Sequence, residues 1–278
     1  MELKITTLIE NMPDEEGWLQ AEHGLSLYIE FDNQKILFDT GQTGDFLKNA
    51  SLLGISMKDL DHVIISHGHY DHSGGLMTLM SELKHAVPLH VGEGFFLPKY
   101  KHLSDGTYRY NGNPFTKQDI LPEKLLLRSV TGDVTYLTEK ILLFKNFPGI
   151  SEFEKLNEKF VLPQGDIYIR DAFQDEIALG LRTDKGLVLI VGCSHVGICN
   201  ILQAVAERVK EPIYAVLGGT HLIEAKEERL EKTMEVFRKY KISCVAVSHC
   251  TGEAGILLAG KTFGDQFILN NTGNRFIL

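Results

Sequence analysis

Three imidazoles and a carboxylate fall within six residues at His67-Gly68-His69-Tyr70-Asp71-His72. They cannot all be packed among apolar atoms, because each buried polar group needs a partner. Imidazole and carboxylate are ligands of borderline divalent metals such as Zn²⁺, and an open coordination position leaves room for a reactive water. Alternation at positions 67 and 69 lets two rings meet one ion, while Asp71 and His72 can turn to a second. The competing reading is a solvated histidine-rich loop, which a short motif can imitate. The expected cofactor is a divalent metal, one or two ions per chain. Zn is the first expectation, and Mn or Fe would suit the same nitrogen and oxygen donors.

The neighbouring elements must hold this segment in place. Residues 62–66 form a continuous apolar run that predicts a strand buried on both faces, leading into the motif. Over 75–83, Leu76, Leu79, Met80 and Leu83 have helical spacing and predict the helix that follows it. Lys4–Ile9, Ser26–Phe31 and Gln34–Phe38 read as strands, the last two joined by a turn at Asp32-Asn33. In the second half, 176–182 and Gly186–Val191 predict a hairpin and Ile198–Val209 a helix. A strand at 213–217, an amphipathic helix at 227–240 and a strand at 243–247 follow. The chain is expected to close as a hairpin of 266–269 with 274–278 around Asn270-Asn271-Thr272-Gly273. Hairpins leading into strand–helix alternation imply an α/β (α+β) chain with two sheets face to face and helices outside. Residues 1–278 are expected to form a single domain. Between about 93 and 170 the periodicity weakens and Pro, Gly and Tyr are frequent, which suggests an insertion near the active site.

The chain has 278 residues, a net charge of −9, 44% hydrophobic and 23% charged residues. That composition excludes disordered, collagen-like and coiled-coil classes. The longest apolar run, 187–191, is far short of the ~20 residues a membrane span needs. The opening Met1-Glu2-Leu3-Lys4 lacks the layout of a signal peptide. A cytoplasmic location with no membrane partner is therefore expected. The acidic balance argues against nucleic acid as a partner. Cys193, Cys199, Cys244 and Cys250 fit neither a zinc ribbon nor a disulfide scaffold. The oligomeric state is left open.

The His-x-His-x-Asp-His segment after a strand, with Leu37-Phe38-Asp39-Thr40-Gly41 upstream, resembles the metallo-β-lactamase superfamily of metal-dependent hydrolases. The resemblance covers nearly the whole chain. Cys193-Ser194-His195 follows a strand where that family sets a ligand, and His249-Cys250-Thr251-Gly252 matches its last ligand. It implies a four-layer αββα sandwich with a metal site at the edge where the two sheets meet. More narrowly, Glu22-His23-Gly24-Leu25-Ser26, Gly192-Cys193-Ser194-His195, Gly218-Gly219-Thr220-His221-Leu222 and the His249 segment are similar to one branch. That branch holds the dihydropterin–ribofuranosylaminobenzene-phosphate synthases.

Two family features are missing. No isolated Gly-His-Thr-x-Gly ligand is present, and His85, His90 and His102 lack that context. The bridging Asp after the second-half strand is also absent, and Cys193 and His195 stand in that region. Carried onto the positions that remain, the resemblance puts one ion on His67, His69 and His195. A second lies on Asp71, His72 and His249, held more weakly for want of a bridging carboxylate. The implied reaction is hydrolysis of an ester or phosphoester of a small cytoplasmic molecule by a metal-bound hydroxide formed near pH ~7. Asp71 would orient that hydroxide or accept its proton as well as bind metal. The alternatives are a pterin-type transferase joining a dihydropterin-methyl group to an arylamine ribosyl phosphate, and a non-catalytic metal- or ligand-binding module.

His221, in a turn after a strand, carries two readings. It is a catalytic residue that steadies charge, acts as general acid or serves as a ligand, or it is a turn histidine bonded to backbone. For His23 the backbone-bonded reading comes first. Asp39 is expected to support the histidine loop by accepting an imidazole N–H. Cys193 ranks below His195 as a ligand, Cys199 and Cys244 are assigned to the core, and Cys250 is placed behind His249. His62 is expected to cap its strand or face solvent. In the insertion, Lys99, Lys101, His102 and Arg109 interleave with Tyr100, Tyr108 and Tyr110. Cations beside aromatic faces suit a small phosphorylated, aromatic substrate. A solvated loop with its tyrosines packed on the body is the plainer alternative.

Overall fold

The computed structural model describes residues 2–278 and gathers the short apolar runs into three sheets. In chain order the first half holds β1 (Lys4–Ile9), β2 (Ser26–Phe31), β3 (Gln34–Phe38), α1 (Asp45–Leu52), β4 (His62–Ile64), α2 (Tyr70–Ser73), α3 (Leu76–Glu82) and β5 (Val87–Gly92). The middle holds β6 (Tyr100–His102), β7 (Tyr108–Tyr110), β8 (Leu125–Val130), β9 (Val134–Tyr136), β10 (Ile141–Phe144), β11 (Phe160–Gln164) and β12 (Ile167–Arg170). The second half holds β13 (Ala178–Thr183), β14 (Gly186–Val191), α4 (Ile198–Val209), β15 (Ile213–Gly219), α5 (Glu227–Lys239), β16 (Cys244–Ser248), α6 (Gly252–Phe263) and β17 (Arg275–Ile277).

One sheet runs β17-β1-β2-β3-β4-β5-β8 and a second runs β16-β15-β14-β13-β10-β9. Alternation along each strand sends successive side chains to opposite faces. In β14, Val188 and Ile190 join Ile5, Leu27 and Phe38 between the sheets, while Leu187, Leu189 and Val191 pack outward against α4 and α5. On the first sheet, Leu37, Val63 and Leu89 pack under α1 and α3 with Phe46, Leu76 and Leu79. Three apolar clusters thus fill the spaces between four layers in the order αββα.

Five of the segments that carry candidate ligands or their supports leave parallel strands. β3 and β4 are parallel neighbours in the first sheet, as are β14, β15 and β16 in the second. Parallel neighbours bring their carboxyl ends to one edge, where open sheets bind ligands. Gly218 sets the close approach there: its φ is +113, and an added Cβ would lie 1.9 Å from the Val191 carbonyl oxygen.

The structure departs from the sequence reading in three places. Residues 93–170 are not one insertion, because β8 extends the first sheet and β9 and β10 extend the second. Only β12-β11-β6-β7 form a sheet of their own. These strands are short, and β7 and β12 are exposed throughout, so they carry no buried–exposed alternation to read. The closing hairpin is absent. Phe267 bridges Val245 in the second sheet, whereas β17 pairs with β1 in the first. Residues 271–274 do turn, with the Asn274 N–H on the Asn271 carbonyl oxygen, but bonds from Thr7 and from the Glu10 N–H tie Asn270 and Thr272 to the first strand and its end. Finally, His62 is half-buried rather than simply solvated, with its Nδ1 3.1 Å from Nε2 of His90 on the neighbouring strand.

Burial, then the neighbouring His62, lowers the pKa of His90 to about 4. A folded-state pKa below the unfolded ~6.5 means stability present above that pH and lost as pH falls toward 4. Urea denaturation should show a loss on the order of 3 kcal/mol from this group across that window. A His90→Gln variant should show a correspondingly flatter acid limb. Gly218→Ala should lower the urea midpoint with an unchanged m value by more than Gly54→Ala. Both have positive φ, but nothing lies within 4 Å of a Cβ at Gly54. That control should cost about 1 kcal/mol and isolates the clash with Val191.

Candidate metal centre

Four strands end in a residue with left-handed backbone or lead into one. Asp39 follows β3 with φ 58, Ser194 follows β14 with φ 60, His221 follows β15 with φ 47, and His249 follows β16 with φ 54. Such conformations are uncommon for residues other than glycine and gather at functional sites, where surrounding contacts hold them. Here they turn each chain sharply so that its next side chains face a common crevice.

Two donor groups meet in that crevice. His67, His69 and His195 bring ligand atoms within 4.8 Å of one another, with ring centroids 4.6, 4.8 and 4.9 Å apart. Asp71, His72, Cys193 and His249 form the second group. In it, Nε2 of His72 lies 3.1 Å from Cys193 Sγ and 3.2 Å from His249 Nε2, and Asp71 Oδ2 is 3.4 Å from His249 Nε2. All six sequence candidates are thus brought together, in the two sets of three expected. Cys193 belongs with the second set and does not stand in for His195.

Asp39 orders both groups. Its Oδ2 accepts from His72 Nδ1 at 2.6 Å and from the Ser66 hydroxyl at 2.8 Å, and its Oδ1 accepts from the Ser66 N–H at 2.7 Å. With its proton given to Asp39, the Ser66 oxygen accepts from Nδ1 of His67 at 2.9 Å. The Nδ1 of His249 is likewise bonded to Asn11 Oδ1 at 2.8 Å. Each bond places a ring proton on Nδ1, so Nε2 is the nitrogen turned into the crevice.

These nitrogens fit a cation. Nε2 of His67, Nε2 of His69 and both nitrogens of His195 are buried without a hydrogen-bond partner. Nε2 of His72 faces Nε2 of His249 at 3.2 Å and carries the proton that its raised pKa implies, which ligation would displace. Orphaned buried acceptors cost about 1–3 kcal/mol each, a cost that ligation removes. Burial first, then neighbouring cationic groups, holds His67, His69 and His195 well below the usual imidazole range, so they are neutral ligands. Burial opposes the charge on Asp71, yet His72, His23 and His249 hold its carboxyl well below the usual range. Burial likewise works against His72⁺, but Asp39 and Asp71 carry its pKa up to about 9.

His221 lies outside the six. Its ring centroid is 4.3 Å from that of His195, and both its ring nitrogens are buried without partners. The backbone-bonded turn reading is therefore not what its ring does. It also groups with Cys193 and Cys250. His23 corrects its reading too, for its Nε2 is 3.2 Å from Asp71 Oδ2 and its ring stacks on His249 at 5.0 Å. Cys199 and Cys244 pack in the apolar clusters, and Cys250 is buried with Sγ 3.4 Å from the Cys193 carbonyl oxygen.

In the small sheet Lys101 and Arg109 lie on the face opposite the tyrosines, whereas His102 stacks on Tyr108. Tyr100 opposes Tyr110, and Lys101 opposes Arg109 and Phe160. Tyr108 stacks on Tyr168 at 3.9 Å, on the face away from Phe160. Phe160 packs against His69, His195 and His221, with Lys101 Nζ 5.3 Å over its ring. The cationic face thus looks toward the donor groups, and the tyrosines do not flank them.

Several contributors gave no sequence signal. Glu176 lies before its strand and accepts the His195 and Val196 N–H groups at 2.7 and 2.8 Å. Burial raises its pKa to about 7. Phe173 stacks on His195 at 4.1 Å with ring planes 5° apart. Asp39→Ala should lower cation affinity about 10- to 100-fold, as loss of a carboxylate behind a ligating imidazole does. Competition with a chromophoric chelator would measure it, and unchanged affinity would refute the role given to Asp39.

The metallo-β-lactamase superfamily sequence profile matches residues 19–202. The chain is 34% identical over 266 residues to the 7,8-dihydropterin-6-methyl-4-(β-D-ribofuranosyl)-aminobenzene-5′-phosphate synthase of Methanocaldococcus jannaschii, covering 90% of this chain and 88% of that protein. It is 25% identical over 219 residues to the anti-Pycsar protein Apyc1 of Saccharibacillus brassicae, covering 74% and 85%. Among solved structures, it superposes on Tm1679, described as a metal-dependent hydrolase of the β-lactamase superfamily, with TM-score 0.84 and 30% identity over 99% of this chain and 98% of that one. With the layer order and the strand-end crevice already in place, the chain belongs to the metallo-β-lactamase superfamily.

Proposed function

We propose that this chain is a two-ion metalloenzyme that hydrolyses an ester or phosphoester of a small cytoplasmic molecule. The observation that carries this reading is the pair of adjoining donor groups, one of which holds buried imidazole nitrogens without hydrogen-bond partners. His67, His69 and His195 would hold one divalent ion, and Asp71, His72 and His249, with Cys193 beside them, a second. Zn suits this nitrogen, oxygen and sulfur set best. Such ions supply a water whose pKa falls toward ~7 and a positive charge for the ester or phosphoryl oxygen.

The surrounding residues have separate tasks. Asp71 is ionised and orients the attacking water, and its Oδ2 accepts a hydrogen bond from Nε2 of His23. His221 has unpartnered ring nitrogens beside His195, so it can donate a proton to the leaving oxygen or steady its charge. Phe160 and Phe173 cover one side with apolar rings and limit the water around the reacting atoms.

A second reading is transfer, in which an arylamine replaces water as nucleophile. The 34% identity to the archaeal synthase over 90% of this chain favours it. Elemental analysis of protein purified without chelator should find two ions per chain, falling to about one in His249→Ala. Cleavage of a chromogenic phosphoester should drop about 10²- to 10⁴-fold in Asp71→Ala. In ¹⁸O-labelled water, label in the product supports hydrolysis. With a pterin diphosphate and an arylamine supplied, unlabelled coupled product supports transfer. Protein that takes up no metal after reconstitution refutes both readings.

A further inference from the structure

We infer that Lys99, which touches none of the donor atoms, is a positioning residue for the His67–His69–His195 group and not for the Asp71–His72–His249 group. The inference rests on the two-ion reading above. Lys99 is 2% exposed, and its Nζ donates to Asp171 Oδ2 at 2.8 Å and Asp175 Oδ1 at 2.9 Å. A lysine is rarely buried this deeply unless its charge is matched, and two carboxylates match it here.

Each carboxylate uses its other oxygen to hold one arm of the first donor group. Asp175 Oδ2 accepts the N–H of Gly68 at 2.7 Å, the residue between His67 and His69. Asp171 Oδ1 accepts the N–H of Phe173 at 2.7 Å, and the Phe173 ring lies flat on His195. Phe173 has φ 50, so its backbone is held where it would not rest by itself. Lys99 Nζ also stands 5.4 Å over the Phe173 ring, which adds a cation–π contact to that arm.

The room around Gly68 is tight. An added Cβ would lie 2.3 Å from the Phe95 carbonyl oxygen and 3.2 Å from Asp175 Oδ2. The loop between the two histidines therefore seats against the carboxylate that Lys99 fixes. Without the ammonium, two buried carboxylates face each other unpaired, and both arms lose their anchor. By contrast, His72 and His249 are held by Asp39 and Asn11, neither of which contacts this network.

Single-site backgrounds separate the two groups. His249→Ala leaves His67, His69 and His195 as the binding group, and His195→Ala leaves Asp71, His72 and Cys193 with His249. Zn²⁺ affinity is measured in each by competition with a chromophoric chelator, with and without Lys99→Met. We expect Lys99→Met to weaken Zn²⁺ about 10- to 100-fold in the His249→Ala background and less than about twofold in the other. Equal losses in both backgrounds, or no loss in the first, overturn the inference while leaving the two-ion reading intact. If Lys99→Met fails to fold by far-ultraviolet circular dichroism, Asp175→Asn keeps the side-chain shape and must show the same selective loss. Wild-type protein that binds no Zn²⁺ overturns the two-ion reading and this inference together.

Discussion

The Asp39 carboxylate is the constraint on which the centre depends. It is fully buried, yet all its known partners are hydrogen-bond donors, two from Ser66 and one from His72. Through His72 it acts on one donor group directly. Through the Ser66 hydroxyl it acts on His67 and so on the other. One carboxylate thereby decides on which nitrogen two imidazoles keep their protons. A metal site assembled from neutral histidines needs that decision made before the cation arrives, because a wrong tautomer presents N–H where a lone pair is required.

The fold makes this wiring short. β3 delivers Asp39 and β4 delivers Ser66 and His67 from adjacent parallel strands, so the carboxylate and the hydroxyl meet without a long loop. β14, β15 and β16 deliver Cys193 and His195, His221, and His249 from the facing sheet. The apolar cluster between the sheets sets their separation. Close packing leaves little freedom to relax that spacing, so the two half-sites are held in register by the core rather than by the ligands.

Much of this was legible in residue order. Apolar runs such as Gly186–Val191 identified strands because burial on both faces needs continuous apolar residues. Four of the six donors were legible because three imidazoles and a carboxylate cannot be packed without a role, whereas His195 and His249 were identified through a family resemblance. The division of the six into two sets came from that resemblance. What could not be read was whatever depends on long-range approach. Glu176, Asp171 and Asp175 look like ordinary surface charges, and Lys99 like a cation for substrate phosphate, until the sheets are assembled and Lys99 is buried between the two aspartates. Asn11 meets His249 across a separation of 238 residues, for which no local pattern exists. The short strands of the small sheet escaped for a different reason, since exposure on both faces removes the period that reveals a strand.

The pairing of β17 with β1 bears on the order in which the centre can form. Thr272 bonds the Glu10 N–H, and Glu10 in turn accepts the N–H of His249. Residues 262 apart in sequence thus meet behind one ligand. Contacts this distant in sequence are late to form, because the loop-closure entropy is lost before the contact is gained. A nascent chain carries His67, His69, Asp71 and His72 long before it carries His249 and its closing strand. Early donors without their late partners make an open, mismatched site, so the complete donor set depends on contacts that close across most of the sequence.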